Sequence, residues 1–154
     1  MPLYFAYGSN MSRKLMRKHC PQARALGTAV LADHRFIVMA EGFATIIAQP
    51  GEAVHGVLWE LSDGNVAALD AYESVDSGLY RATTLPVHHG GRVTPALVYI
   101  ARSCEHGRPK PAYIELVLAA ARDWDLPEPY VDALARWAPA DADTLLRSEI
   151  RGRR

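Results

Sequence analysis

The run Leu3-Tyr4-Phe5-Ala6-Tyr7 is apolar and aromatic, and Gly8 closes it. It is too short for a helix and is bounded as a buried strand is. Ser12 then precedes Arg13–Cys20, where Leu15 and Met16 are the apolar anchors and Pro21 follows. That predicts a short helix with Ser12 as its N-cap. Residues 24–33 and 34–40 alternate or run apolar, which predicts two strands meeting near Asp33-His34. Ala44 to Ala48 predicts a strand stopped by Pro50-Gly51, and Val54 to Leu61 predicts another. Gly56 inside the latter marks a bulge or a close backbone approach. Ser62-Asp63 opens a predicted helix in which Val66, Leu69 and Tyr72 recur at helical spacing, with Asp70 and Glu73 beside that stripe. Leu79–His88 and Arg92–Ala101 predict a hairpin around Gly90-Gly91. From Pro111 the period is helical: Ile114, Val117, Leu118 and Ala121 mark one helix, Asp125-Leu126-Pro127 breaks it, and Tyr130, Leu134 and Trp137 mark a second. Pro139-Ala140-Asp141 breaks again before a short helix ending at Glu149.

Strands come first, one helix is inserted, and a helical tail follows. That order is α+β and not alternating βαβ. Seven or so short strands with an internal glycine favour a small mixed β-barrel with flanking helices over a flat sheet. With 154 residues, 49% hydrophobic and 22% charged, the expectation is one globular domain over 1–154. The Arg-rich end, 147–154, reads as a solvated, frayed terminus.

Charge and cysteine content narrow the function. Seventeen basic residues balance seventeen acidic ones, which argues against a nucleic-acid partner, since that needs a basic face. No apolar run approaches the roughly 20 residues of a membrane span, and MPLYFAYGSN has neither the basic nor the apolar segment of a signal peptide. The expectation is a cytoplasmic protein without a membrane partner. Cys20 and Cys104 lie far apart and outside any C-x-x-C pair, so reduced thiols are the simpler reading. Six histidines include His88-His89 but no H-E-x-x-H, and no metal site is expected.

Two places are candidates for chemistry. At Tyr7-Gly8-Ser9-Asn10-Met11 a buried strand runs into a turn and then a helix start. Successive N–H groups there can form a nest for a carboxylate or phosphate, and Gly8 admits close approach. On spacing alone, an ordinary strand–turn–helix corner is the simpler reading. The second place is Asp70 and Glu73, three apart and able to share a helical face, with Tyr80 and Tyr99 on strands beyond. Two solvated carboxylates and two core tyrosines have the same spacing. Glu73, however, closes the helix, where a carboxylate opposes the macrodipole. A residue set against its local preference is a hint of function.

Together and in this order, these segments resemble the γ-glutamylcyclotransferase family, of the AIG2-like superfamily. Tyr7-Gly8-Ser9-Asn10-Met11 resembles its Y-G-S-N-hydrophobic opening, and Gly42-Phe43-Ala44-Thr45-Ile46 its G-x-A-T-I strand. Val54-His55-Gly56-Val57-Leu58-Trp59 is similar to its V-x-G-V-x-W strand, and Leu69-Asp70-Ala71-Tyr72-Glu73 to its L-D-x-x-E motif, with Gly78-Leu79-Tyr80 following. Pro111-Ala112-Tyr113 and Leu126-Pro127-Glu128-Pro129-Tyr130 resemble its tail, so the likeness covers roughly residues 3–137. Ser74 departs from it, standing where the family usually has glycine. Asn10 resembles the branch acting on γ-glutamyl substrates other than glutathione.

The resemblance implies an enzyme that closes the glutamyl part of a small γ-glutamyl substrate into 5-oxoproline and frees an amino acid or amine. Because the α-amine attacks its own γ-carbonyl, the enzyme need only hold a cyclised conformer. By the match Glu73 is the general acid/base. Tyr7, Gly8, Ser9, Asn10, Met11, Tyr80 and Tyr99 form the substrate site, the turn binding a carboxylate or the oxyanion. No cofactor or metal is implied, and the chain is expected as a monomer or homodimer. Two alternatives stand beside this: a sensor that binds a γ-glutamyl or 5-oxoproline ligand without turnover, and a cyclotransferase for biosynthetic γ-glutamylamines.

Overall fold

The computed structural model of the chain describes residues 2–73, 78–110 and 112–138. Within them five strands close into a mixed barrel, β1 (Leu3–Ala6), β3 (Ala44–Glu60), β2 (Arg24–Val38), β4 (Tyr80–His89) and β5 (Arg92–Ala101), in that order around the sheet. Four helices flank it: α1 (Arg13–His19), α2 (Asn65–Tyr72), α3 (Tyr113–Asp123) and α4 (Glu128–Ala135), with a 3-10 turn at Ser9–Met11. The expected α+β barrel is therefore the observed architecture.

The barrel has fewer strands than expected because two breaks in the pattern are bulges. Residues 24–33 and 34–40 are one continuous strand to Val38, and Pro50-Gly51 does not stop β3, which runs through both. His34 pairs with Ala48 and Ala32 with Ala53, so Gln49 to Glu52 stand opposite Asp33 alone. Pro50 lacks a ladder donor, yet in a bulge none is required. Asp33 closes the bulge, its backbone at φ 59 and its carboxylate accepting from the Gly51 amide at 3.0 Å. A second bulge lies between Ala25 and Gly27. Gly56 is regularly paired with Ala29, so it marks a close approach and not a bulge. A methyl there would meet the Ala6 carbonyl and lie 2.9 Å from the Phe5 ring.

Antiparallel pairing of Leu3–Ala6 with Val57–Glu60 sets β1 into the sheet, and one parallel pair, Tyr4 with Leu97, closes the ring. The hairpin of β4 and β5 turns at Gly90-Gly91, both at positive φ, as a two-residue turn with the native strand twist requires. Phe5, Leu31, Ile46, Val57 and Leu58 belong to the core and are all nearly inaccessible. Ser12 caps α1 as expected, its hydroxyl accepting from the Leu15 amide at 3.3 Å. The next helix starts later than Ser62-Asp63. Asn65 is its first residue, and its side-chain oxygen takes up the Ser62 amide and hydroxyl, each at 2.9 Å. Ile114, Val117, Leu118 and Ala121 bury one face of α3, and Val131 and Leu134 do so for α4.

Both cysteines are free thiols, Cys20 buried and Cys104 exposed. Among the described residues no helix is long and apolar enough to cross a membrane. Ser74 and the expected helix and Arg-rich end after Pro139 lie outside the described residues.

Candidate active site

A cavity of about 180 Å³ opens where β1 delivers the chain to the 3-10 turn. Tyr4, Tyr7, Gly8, Ser9 and Asn10 line it, Ala44 comes from the start of β3 and Phe43 from just before it. Tyr72 and Glu73 enter from the end of α2, Leu79 and Tyr80 from β4, Tyr99 from β5 and Tyr113 from the start of α3. Six of the chain's seven tyrosines therefore face one space, and hydroxyls dominate its chemistry. Drug-sized ligands fill roughly 300 Å³ or more, so this cavity suits a smaller group, with the rest of a substrate at the rim.

Glu73 is the C-cap of α2. Its amide donates to the Leu69 carbonyl at 2.8 Å, ending the helix at the cavity wall. Burial pushes its carboxyl up to about 7, because a charged form in this apolar and aromatic setting loses hydration. A carboxyl so placed exchanges its proton at neutral pH, which is what an acid/base group requires.

Each tyrosine hydroxyl has a defined partner. Tyr7 donates to the Tyr99 backbone carbonyl, Tyr80 to the Ala44 carbonyl at 2.6 Å, and Tyr99 to the Asp70 carboxylate at 2.6 Å. Tyr4 and Tyr113 are acceptors, Tyr4 from the Asn10 side-chain amide and Tyr113 from the Ala44 amide, each at 3.2 Å. Those two keep a proton to direct elsewhere. Burial raises the phenols of Tyr4, Tyr7, Tyr80, Tyr99 and Tyr113, with the Glu73 charge adding to it in each, so all five are neutral donors at physiological pH.

Of the residues expected at the site, Glu73, Tyr7, Gly8, Ser9, Asn10, Tyr80 and Tyr99 converge on this cavity. Met11 does not. It is wholly buried, its amide is taken by the Gly8 carbonyl at 3.1 Å, and its carbonyl accepts from the Trp124 indole at 2.7 Å. It holds the turn from behind. The Gly8 niche receives the Tyr113 hydroxyl, which would lie 3.0 Å from a methyl placed on Gly8. Asp70 faces Tyr99 and not the cavity, which makes it a support for the wall.

The sequence reading missed Tyr4, Phe43, Ala44, Tyr72, Leu79 and Tyr113. Phe43, Ala44, Tyr72, Leu79 and Tyr113 lie inside the family-like motifs, which is the signal that could have found them; Tyr4 lies outside those motifs, in the buried first strand. Among the described residues no group of three or more His, Cys, Asp or Glu side chains is placed to hold a metal ion.

A family model described as the AIG2-like family matches residues 53–134. The γ-glutamylcyclotransferase of Mus musculus is 31% identical over 159 aligned residues, covering 96% of this chain and 85% of the mouse protein. The Homo sapiens γ-glutamylcyclotransferase is 30% identical with the same coverage. A solved structure titled γ-glutamyl cyclotransferase superposes with a TM-score of 0.84 at 29% identity, covering 91% of this chain and 89% of that one.

Proposed function

This chain belongs to the γ-glutamylcyclotransferase family, and on that footing we propose that it converts a γ-glutamyl substrate to 5-oxoproline with release of an amino acid or amine. The observation that carries the reading is Glu73, a desolvated carboxyl near pKa 7 in the wall of a tyrosine-lined cavity beside the Gly8–Asn10 turn.

In this reaction the glutamyl part lies in the cavity and the leaving group at its rim. Glu73, ionised in the free enzyme, takes a proton from the substrate's α-ammonium. The freed amine attacks the γ-carbonyl carbon, forming the ring C–N bond and placing charge on the carbonyl oxygen. The hydroxyls of Tyr4 and Tyr113, whose protons are not spent on the protein, are the donors available to that oxyanion. Glu73 then returns its proton to the departing nitrogen as the amide C–N bond breaks and the carbonyl re-forms, and it takes up the second proton of the ring nitrogen, which passes to the released amine as its ammonium. Amine and γ-carbonyl belong to one molecule throughout, so holding the folded conformer supplies much of the acceleration. Tyr7 and Tyr80, tied to backbone carbonyls, shape the cavity.

The test is incubation of the purified chain with γ-glutamyl-alanine and detection of 5-oxoproline. Formation of 5-oxoproline that Glu73→Gln abolishes supports the reading. Saturable binding with no product overturns it in favour of a sensor.

A further inference from the structure

His19 stands behind the cavity wall, and the reaction above does not use it. It is the last residue of α1 and is partly buried. Its ring lies against Tyr72, centroids 4.0 Å apart, and its Nδ1 is 3.4 Å from Asn10 Oδ1. Asn10 sits in the 3-10 turn, nearly inaccessible, and its Nδ2 donates to the Tyr4 hydroxyl at 3.2 Å. His19 on α1, Asn10 in the turn and Tyr4 on β1 thus form one hydrogen-bonded chain, and of these Asn10 and Tyr4 line the cavity.

The chain has a direction. A side-chain amide accepts at one end and donates at the other. With its oxygen toward His19, Asn10 donates to Tyr4, and the Tyr4 proton stays available to the cavity. Turned over, Asn10 would accept from Tyr4 and spend that proton inside the wall. Asn10 Oδ1 can only accept, so Nδ1 of His19 has to carry a hydrogen. Burial and the adjacent Lys18 charge hold the imidazole below its usual pKa. At pH 8 the ring is therefore neutral and one of its nitrogens alone bears the hydrogen. The stack on Tyr72 holds the ring with Nδ1 toward the turn.

We infer that His19 is a positioning residue, its Nδ1–H orienting the Asn10 amide so that the Tyr4 hydroxyl keeps its proton for the substrate's carbonyl oxygen. The inference rests on the cyclotransferase reading, in which Tyr4 is a donor to the oxyanion. His19 itself touches no substrate. Its effect belongs to kcat, because a donor aimed at charge that develops during reaction is worth more in the transition state than in ground-state binding.

Two substitutions separate the ring's stacking from its hydrogen bond. His19→Phe keeps a ring on Tyr72 and loses Nδ1–H, whereas His19→Asn keeps a donor near the Nδ1 position and loses the ring. With γ-glutamyl-alanine as substrate and at matched folded concentration, His19→Phe should lower kcat for 5-oxoproline release about tenfold, a part of what a whole oxyanion donor is worth, and leave KM nearly unchanged. His19→Asn should recover most of that loss. In a Tyr4→Phe background His19→Phe should cost nothing further, because the proton it directs is gone. One readout needs neither turnover nor a variant: nitrogen NMR of the wild-type imidazole at pH 8 should place the hydrogen on Nδ1. Hydrogen on Nε2 overturns this inference and leaves the cyclotransferase reading standing. So does an unchanged kcat in His19→Phe, a His19→Asn no better than His19→Phe, or the same loss with and without the Tyr4 hydroxyl. Absence of 5-oxoproline release by the wild-type chain overturns the cyclotransferase reading and this inference with it.

Discussion

Glu73 is where a single side chain carries the most consequence. Its carboxyl is raised from 4.5 to about 7 by burial. In the proposed reaction its ionised form does the work, so kcat/KM should fall about tenfold per pH unit below pH 7. Glu73→Gln keeps size and removes the base. It should lower 5-oxoproline release by roughly 10²–10⁴-fold, the usual worth of general acid–base catalysis. The same shift has a stability consequence of definite sign. A folded-state pKa above the unfolded value means that the native chain holds the proton longer. Stability therefore declines as pH rises from about 4.5 to 7, and above that the ionised group is a full liability. Removing it should raise unfolding stability at pH 8 by up to about 3 kcal/mol and leave it nearly unchanged at pH 4. Parallel melting curves of wild type and Glu73→Gln at the two pH values check this. A variant less stable at pH 8 would count against a desolvated Glu73.

At the scale of elements, α2 matters for where it stops. Leu69 anchors it in the core, while Tyr72 is 42% exposed and bonds Ser9 through their hydroxyls at 3.2 Å. The expected stripe of Val66, Leu69 and Tyr72 therefore has one fully buried member. Tyr72 faces the lip instead, with the His19 ring packed against it at 4.0 Å. Asp70 ties the helix to β5 through Tyr99. Asp70→Asn keeps an acceptor but loses its charge, and should cost about 1–2 kcal/mol of stability by denaturant unfolding. Turnover at matched folded concentration should fall less than tenfold, far less than for Glu73→Gln. The reverse ranking would exchange the two roles.

For the whole molecule, closure of the barrel creates the cavity. One tight point beside it is Gly56, where β3 passes against Ala6 and Phe5. Gly56→Ala puts a methyl where the neighbouring carbonyl and ring already stand. Overpacking of this kind costs roughly 1–3 kcal/mol, which for a chain of this size lowers Tm by several degrees. Because β1 also ends in the Tyr7–Gly8 corner, the remaining folded enzyme should show a higher KM. A Tm equal to that of the wild type would mean that β1 shifts freely and that Gly56 does not fix the seat of β1 on β3.

Local patterning sufficed for much of this protein. The Ser12 cap, the Gly90-Gly91 hairpin, the apolar face of α3 and the α+β order each depend on residues a few positions apart, where helical and strand periods act. In α4 only Leu134 of the expected stripe is buried, with Val131 beside it, while Tyr130 is partly exposed and Trp137 lies beyond the helix. The motifs singled out Glu73 and the Tyr7–Asn10 turn because a chemical group and its immediate backbone are both local. Patterning failed where long-range pairing overrode a local signal. Pro50-Gly51 reads as a stop but is absorbed as a bulge opposite Asp33. Met11 reads as part of a binding turn, yet Trp124, far along the chain, binds its carbonyl and fixes it in the core. Which tyrosines face the cavity, and which of them keep a proton for a substrate, was decided only when closure of the barrel brought β1, β5, α2 and the start of α3 to one end. No periodicity within a segment encodes that meeting, because each hydroxyl's partner lies on another element.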